Sequence, residues 1–180
     1  RYRATVLGAR ITAGRAAGVS LLGGERLDAA TLILAVPHER AGWMLAPEHF
    51  GTYRDVVRVP WSPIVSTVLT FDRPILPSRF VGLLGTRTQW AFDRGSTTPG
   101  RYMVGTVRSA AFADVELPTR VIADETTREL ADAFPSQPAA RLLGARVYKE
   151  RRATMRALPG VQHLRPPAET AVRGLYLAGD

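Results

Sequence analysis

The chain closes on Gly174-Leu175-Tyr176-Leu177-Ala178-Gly179-Asp180, a short apolar run that ends on bare backbone and one carboxylate. Such a run reads as a buried strand that carries its C-terminal end to a ligand. Gly179 lets the main chain approach closely, and Asp180 can accept hydrogen bonds from sugar-like hydroxyls. A second run of the same character, Thr31-Leu32-Ile33-Leu34-Ala35-Val36-Pro37, also ends at a helix start. Its segment from Leu32 to Val36 is expected to be covered on both faces. Two such strands imply a sheet that binds a cofactor at its strand ends. A core strand needs a turn and a covering element after it, so a segment of a longer protein is expected.

Composition narrows the classes. With 180 residues, 46% hydrophobic and 22% charged, the chain can bury one substantial core and a smaller second one. It has no cysteine, which excludes disulfides and thiolate metal sites and makes a reducing cytoplasm the default. No apolar run reaches the roughly 18 residues needed to span a bilayer. The net charge is +8, but the arginines are scattered and Lys149 is the single lysine, which argues against a nucleic-acid site. An acidic lipid surface remains a partner for that charge, with the protein resting peripherally on the inner membrane.

The local patterns divide the chain further. Tyr2 to Val6, Arg10 to Thr12 and Gly18 to Leu22 alternate as short antiparallel strands, with a hairpin turn at Gly23-Gly24. After Pro37, His38 to Leu45 reads as a short helix. Ser62 to Phe71, Phe80 to Leu84, Gln89 to Asp93 and Tyr102 to Val107 are β-rich and separated by Gly, Pro or Ser/Thr clusters, so a mainly antiparallel sheet is expected. Pro118 opens a helix that Pro135 ends. Ala145 to Tyr148 is a further strand running into a basic segment. The fold class is therefore α/β (α+β overall): part of a Rossmann-like dinucleotide-binding domain with an inserted, mainly antiparallel sheet and helices. Residues 1–50 and 158–180 are assigned to the cofactor domain and 51–157 to a substrate domain.

The order "ATLILAVPHERAGWML", "SPIVSTVLTFDRPIL", "FVGLLGTRTQWAFDRG" and "LRPPAETAVRGLYLAGD" resembles the flavin-dependent amine oxidase and phytoene desaturase superfamily. Within it the chain is most similar to the squalene-associated branch, hydroxysqualene dehydroxylase. Phe71-Asp72-Arg73-Pro74 and Gln89-Trp90-Ala91-Phe92-Asp93-Arg94-Gly95 carry the branch; the Leu-Ala-Gly-Asp ending is shared among flavoproteins. The resemblance implies FAD, a polyprenyl substrate such as hydroxysqualene, and a hopanoid or related triterpene pathway. The chain contains no Gly-x-Gly-x-x-Gly phosphate loop and no helix after Asp180, so these residues alone are expected to hold FAD weakly.

Each candidate residue has a plainer reading beside the functional one. Gly179 and Asp180 are flavin contacts by resemblance, or Asp180 is the N-cap of a following helix. The resemblance places the Ile11 backbone at the adenine; otherwise Ile11 is a core strand residue. It also puts Ala35, Val36 and Pro37 beside the cofactor, where a Val-Pro stop can equally be punctuation. Trp90 and Phe92 alternate onto one face of a strand and, with Trp61 and Phe80, line an apolar tunnel or a packed core. Removing an allylic hydroxyl needs a proton donor for the leaving oxygen and a hydride equivalent for the carbon. Asp93, its pKa raised by an apolar setting, is the candidate donor; a turn-forming salt bridge with Arg94 is the alternative. Arg165, before Pro166, faces the flavin or a phosphate, or is a plain surface arginine. Tyr148 to Arg152 is a solvated charge run or rests on anionic lipid. His38, His49 and His163 have no metal-ligand spacing, and Ser62, Ser66 and Ser109 lack a nucleophile-elbow setting. Two rivals to hydroxyl removal remain: a carotenoid desaturase or amine oxidase, and a lipid-binding module without catalysis.

Overall fold

A computed structural model describes residues 3–45, 51–135 and 139–179. The strands in chain order are β1 (Val6–Thr12), β2 (Arg15–Leu21), β3 (Arg26–Asp28), β4 (Leu32–Leu34), β5 (Trp61–Phe71), β6 (Phe80–Gly82), β7 (Trp90–Thr98), β8 (Arg101–Ser109), β9 (Leu142–Met155) and β10 (Leu175–Leu177). Helix α1 spans His38–Met44 and α2 spans Thr119–Ala133. The fold is mixed α/β with mainly antiparallel sheets. It divides into two compact units, residues 1–60 with 155–180, and residues 61–154.

In the first unit β1, β2 and β3 form an antiparallel meander. Strands β4 and β10 pair in parallel, Leu32 opposite Leu175 and Leu34 opposite Leu177, so both end on the same side. Leu32, Leu34, Leu45, Val172, Leu175 and Ala16 form the core, with Ile11 and Val36 packed against it. Gly174 immediately precedes β10 at φ +79°, where a Cβ would lie 2.4 Å from the Ala30 carbonyl oxygen. Only glycine tolerates both the dihedral and that approach. The irregular lead-in to β10 is stitched by the buried hydroxyl of Thr170, 3.1 Å from the Val172 carbonyl and 2.8 Å from that of Leu175. The coverage expected for β4 is not observed on both faces: Leu32 and Leu34 are buried, but Ile33 is 66% exposed. An unbroken apolar run hides this alternation, because it carries no polar residue to mark the outer face.

The second unit is a five-stranded sheet in the order β6-β7-β8-β5-β9. Strict alternation along β5 buries Val65, Thr67, Leu69 and Phe71 on one face. Register carries that face through Val104, Thr106 and Arg108 of β8 to Ala91 of β7. Helix α2 presents Ile122, Ala123, Thr126 and Leu130, spaced for one helical face, and Ile122 and Leu130 join the core clusters of this sheet face. Beneath the helix lies a buried charge cluster. Arg108, 2% exposed, donates to Asp114 (2.7 Å), Glu125 (3.1 Å), Thr126 (2.9 Å), Glu129 (3.4 Å) and Thr88 (3.3 Å). Arg87 pairs with Asp114 and Glu125, and its backbone N–H donates to Glu129. Two guanidiniums thus face three carboxylates, and every polar atom of Arg108 is satisfied at once.

The basic segment after Tyr148 continues β9 and does not end it; Arg146, Glu150, Arg151 and Arg152 are exposed along an edge strand. Charges there discourage pairing with another chain. Asp72 anchors the start of β9 by accepting the Arg141 N–H (3.0 Å) while its own N–H donates to the Arg141 carbonyl (3.1 Å). Among the described residues no helix is long and apolar enough to cross a membrane.

Candidate functional sites

The face of the five-stranded sheet opposite α2 is built from two rows of the register. One row runs Phe80, Phe92, Gly105, Val68; the next runs Gly82, Trp90, Val107, Ser66. Trp90 and Phe92 stack at 6.3 Å between ring centres with 23° between planes, and Phe80 meets Trp90 at 6.3 Å. Phe80 is 60% and Trp90 44% exposed, so these rings form an open apolar surface and not a packed core. Gly105 makes room for a large side chain, whereas Gly82 lies at ordinary contact distance from one. A Cβ on Gly82 would touch the Trp90 ring at 3.6 Å, and one on Gly105 would lie 2.9 Å from Arg94 Nε. Arg94 occupies that notch with its guanidinium carbon 5.5 Å from the centre of the Phe92 ring. A cation over a ring face at this distance is attracted by the ring quadrupole, and the contact uses none of its N–H donors.

The structure brings Phe80, Trp90 and Phe92 together and leaves Trp61 and Asp93 apart from them. Trp61 shares the alternation of Val65 and Leu69, which places it on the α2 side of β5. Asp93 sits opposite Val104, on the other face of β7 from the rings. It is exposed, not set in an apolar environment, and its Oδ1 accepts the Gly95 N–H at 2.7 Å. The expected salt bridge with Arg94 is not formed either, because successive side chains on a strand point to opposite faces. Neither Arg94 nor the glycine notch was singled out from sequence as part of this site. The pairing of Phe92 with Gly105 is a register fact between segments a dozen residues apart.

The first unit offers a different surface. Ala35, Pro37, Ala178 and Gly179 are exposed where β4 and β10 end, and Val36 is half-buried. Ala178 N–H donates to the Leu34 carbonyl at 3.0 Å, which ties the two ends together. Gly179 has φ +139° and open space where a Cβ would stand. Small residues at the C-terminal ends of parallel strands fit the close approach of a dinucleotide. Asp180 lies outside the described residues, as does His49. The Ile11 side chain is half-buried against the core of this unit. His38 donates from Nε2 to the Val59 carbonyl (2.9 Å), and Arg165 and His163 are exposed. No cluster of three metal-ligating side chains occurs among the described residues.

Comparison with known proteins assigns the class. Residues 2–180 match the family described as flavin containing amine oxidoreductase. The chain belongs to this family of FAD-dependent oxidoreductases. It is 29% identical over 153 residues to a 15-cis-phytoene desaturase of an Oncidium hybrid cultivar, covering 76% of this chain and 26% of that protein. An oxidoreductase from Methanosarcina mazei superposes with a TM-score of 0.73 at 21% identity, over 97% of this chain and 43% of the other. A putrescine oxidase bound to putrescine gives 0.64 at 17% identity, over 97% and 42%. At such identities the structural likeness speaks for the fold alone. The chain spans about a quarter of the length of the curated relatives it matches.

Proposed function

We propose that this chain contributes the substrate sheet and part of the flavin-binding surface of a FAD-dependent oxidoreductase acting on a polyprenyl hydrocarbon. The reaction we assign is reductive removal of the hydroxyl of hydroxysqualene to give squalene. The observation that carries the substrate class is the open aromatic face of Phe80, Trp90 and Phe92, whose two register rows contain no carboxylate. A long hydrocarbon has few polar handles, so its affinity comes from buried apolar area at about 25 cal/mol per Å². A cationic amine would instead meet the guanidinium of Arg94 on this face.

Residues Ala35, Val36, Pro37, Gly179 and Asp180 would hold the flavin, with Ile11 toward the adenine end. FAD, when bound and reduced by an external two-electron donor, would supply the hydride equivalent. The balance is then fixed: the carbon–oxygen bond breaks, a carbon–hydrogen bond forms, and the oxygen leaves as water with two electrons and two protons consumed. The chain's own residues hold the hydrocarbon against the rings and exclude water from it. Such a substrate resides in lipid, and peripheral membrane contact belongs to this reading.

Likeness to phytoene desaturases supports a second reading, in which hydride is taken from the hydrocarbon instead of given to it. Incubating the full-length flavoprotein with hydroxysqualene under reducing conditions, and with phytoene under oxidising ones, separates the two. Squalene as product supports the first reading, and added double bonds in phytoene replace it with the second. Turnover of a diamine in place of both would overturn the polyprenyl class.

A further inference from the structure

Arg94 is the charged side chain lying on the aromatic cluster, and among the described residues its guanidinium makes no hydrogen bond or ion pair. Its contrast is Arg108, whose guanidinium has five hydrogen-bond partners on the other face of the same sheet. Arg94 is nonetheless held in place. The Phe92 ring lies 5.5 Å below its guanidinium carbon, and the missing side chain of Gly105 leaves the space through which Nε passes. A guanidinium offers five N–H donors and no acceptor. Held over a ring, with no protein acceptor among the described residues, it keeps those donors free beside an apolar surface. That arrangement suits one ligand chemistry: a long hydrocarbon that covers the rings and carries an oxygen to accept from the guanidinium edge.

We propose that Arg94 is a specificity-determining residue, which makes this face prefer a polyprenyl alcohol over the same hydrocarbon without its oxygen. The inference rests on the polyprenyl reading above and adds the feature that separates a hydroxylated substrate from a plain one. Arginine stays protonated throughout the physiological range, so Arg94 orients the oxygen and is not the proton donor. Covering the rings with hydrocarbon also withdraws water from the guanidinium. A ligand without an acceptor then leaves those donors unsatisfied, while an alcohol satisfies at least one.

The test uses the full-length, flavin-loaded protein and measures dissociation constants for hydroxysqualene and for squalene. The wild type is expected to prefer the alcohol by about ten-fold or more, the size of one charge-assisted hydrogen bond. Arg94→Met keeps the length and apolar contact of the side chain and removes the donors. It is expected to abolish the preference by weakening hydroxysqualene alone, with squalene affinity, flavin content and unfolding temperature unchanged. Gly105→Ala fills the notch beside Nε and is expected to reduce the preference with Arg94 still present. Equal weakening of both ligands in Arg94→Met would overturn the assignment, as would a wild type that binds both equally; either leaves the aromatic face standing as the hydrocarbon site. A preference for the alcohol without its conversion to squalene keeps the Arg94 assignment and overturns the reaction. Binding of neither ligand by the wild type overturns both.

Discussion

Arg94 and Arg108 sit on adjacent strands of one sheet and have opposite surroundings. Arg108 is 2% exposed, encircled by Asp114, Glu125, Glu129, Thr126 and Thr88, and joins α2 to the sheet. Arg94 is exposed, lies on Phe92, and has no counter-ion among the described residues. On the covered face, charge is sequestered and fully paired, as buried charge must be. On the open face, rings remain uncovered and the one guanidinium over them is left to its own donors. The difference divides the sheet into a face that holds the fold and a face available to a ligand.

The sharpest way to break that division is to exchange the arginines' fates. Arg108→Met leaves three carboxylates facing Arg87 alone beneath α2. Removing one partner of a buried ionic network costs about 3 kcal/mol, the lower end of the usual range, since these carboxylates are 12–27% exposed. Chemical denaturation of the full protein should show that loss. Arg94→Met should change stability by less than about 0.5 kcal/mol, as for other surface substitutions. Similar costs at both positions would show that the two faces are not different in kind.

A second, smaller effect probes the open face itself. Trp90→Ala removes the ring that touches both Phe80 and Phe92. The KM for a squalene-like substrate should rise about ten-fold, the scale of one large apolar side chain lost from a contact, while flavin content stays intact. Joint loss of folding and flavin would make the ring part of the core and erase the contrast with Leu69 and Val104. Gly174→Ala provides the matching control in the first unit. Its φ of +79° and the 2.4 Å approach to the Ala30 oxygen should make this substitution lower stability by about 1–3 kcal/mol. An unchanged unfolding midpoint would show that β10 does not depend on that approach.

What sequence alone could reveal follows the range of the interactions. Strand β5 and helices α1 and α2 are visible because their periodicity and their Gly or Pro boundaries lie within a dozen residues. The start of the meander differs: one strand, Val6–Thr12, stands where the sequence pattern suggests two, Tyr2 to Val6 and Arg10 to Thr12. The ring face was legible in part, since alternation alone places Trp90 with Phe92. Where alternation stops helping is at the other two rings: Phe80 joins this face through the β6–β7 register, and Trp61 falls on the other face through the parity of β5 relative to β7. The apolar setting expected for Asp93 is not found, since its exposure depends on what packs around β7 and not on alternation along it. The charge cluster was invisible because Arg87 and Glu129 lie 42 positions apart and each looks like an ordinary surface residue. The role of Asp72, inside the Phe71-Asp72-Arg73-Pro74 motif, needed its partner Arg141 before it could be read.

The smallest effect concerns the exposed carboxylates that both contrast with and imitate the buried cluster. Asp72 is held below the ordinary carboxylate range, first by the Arg141 backbone N–H and then by Arg73. Glu116 is lowered by the hydrogen bond and charge of Arg151, whose own guanidinium is correspondingly raised. A carboxyl lowered on folding contributes stability above its unfolded value, near 4 for these side chains, and loses it as pH falls through the folded value. Both contributions should therefore be complete at neutral pH and decline on the acid side. Exposed pairs are screened by salt, whereas the Asp72 clamp to Arg141 is a backbone hydrogen bond. Acid titration of stability should thus be flattened by Glu116→Gln at low ionic strength and not in 1 M salt, and by Asp72→Asn at both. A salt-insensitive Glu116→Gln effect would mean that this pair behaves like the Arg108 cluster and would extend the structural face of the sheet out to its charged edge strand.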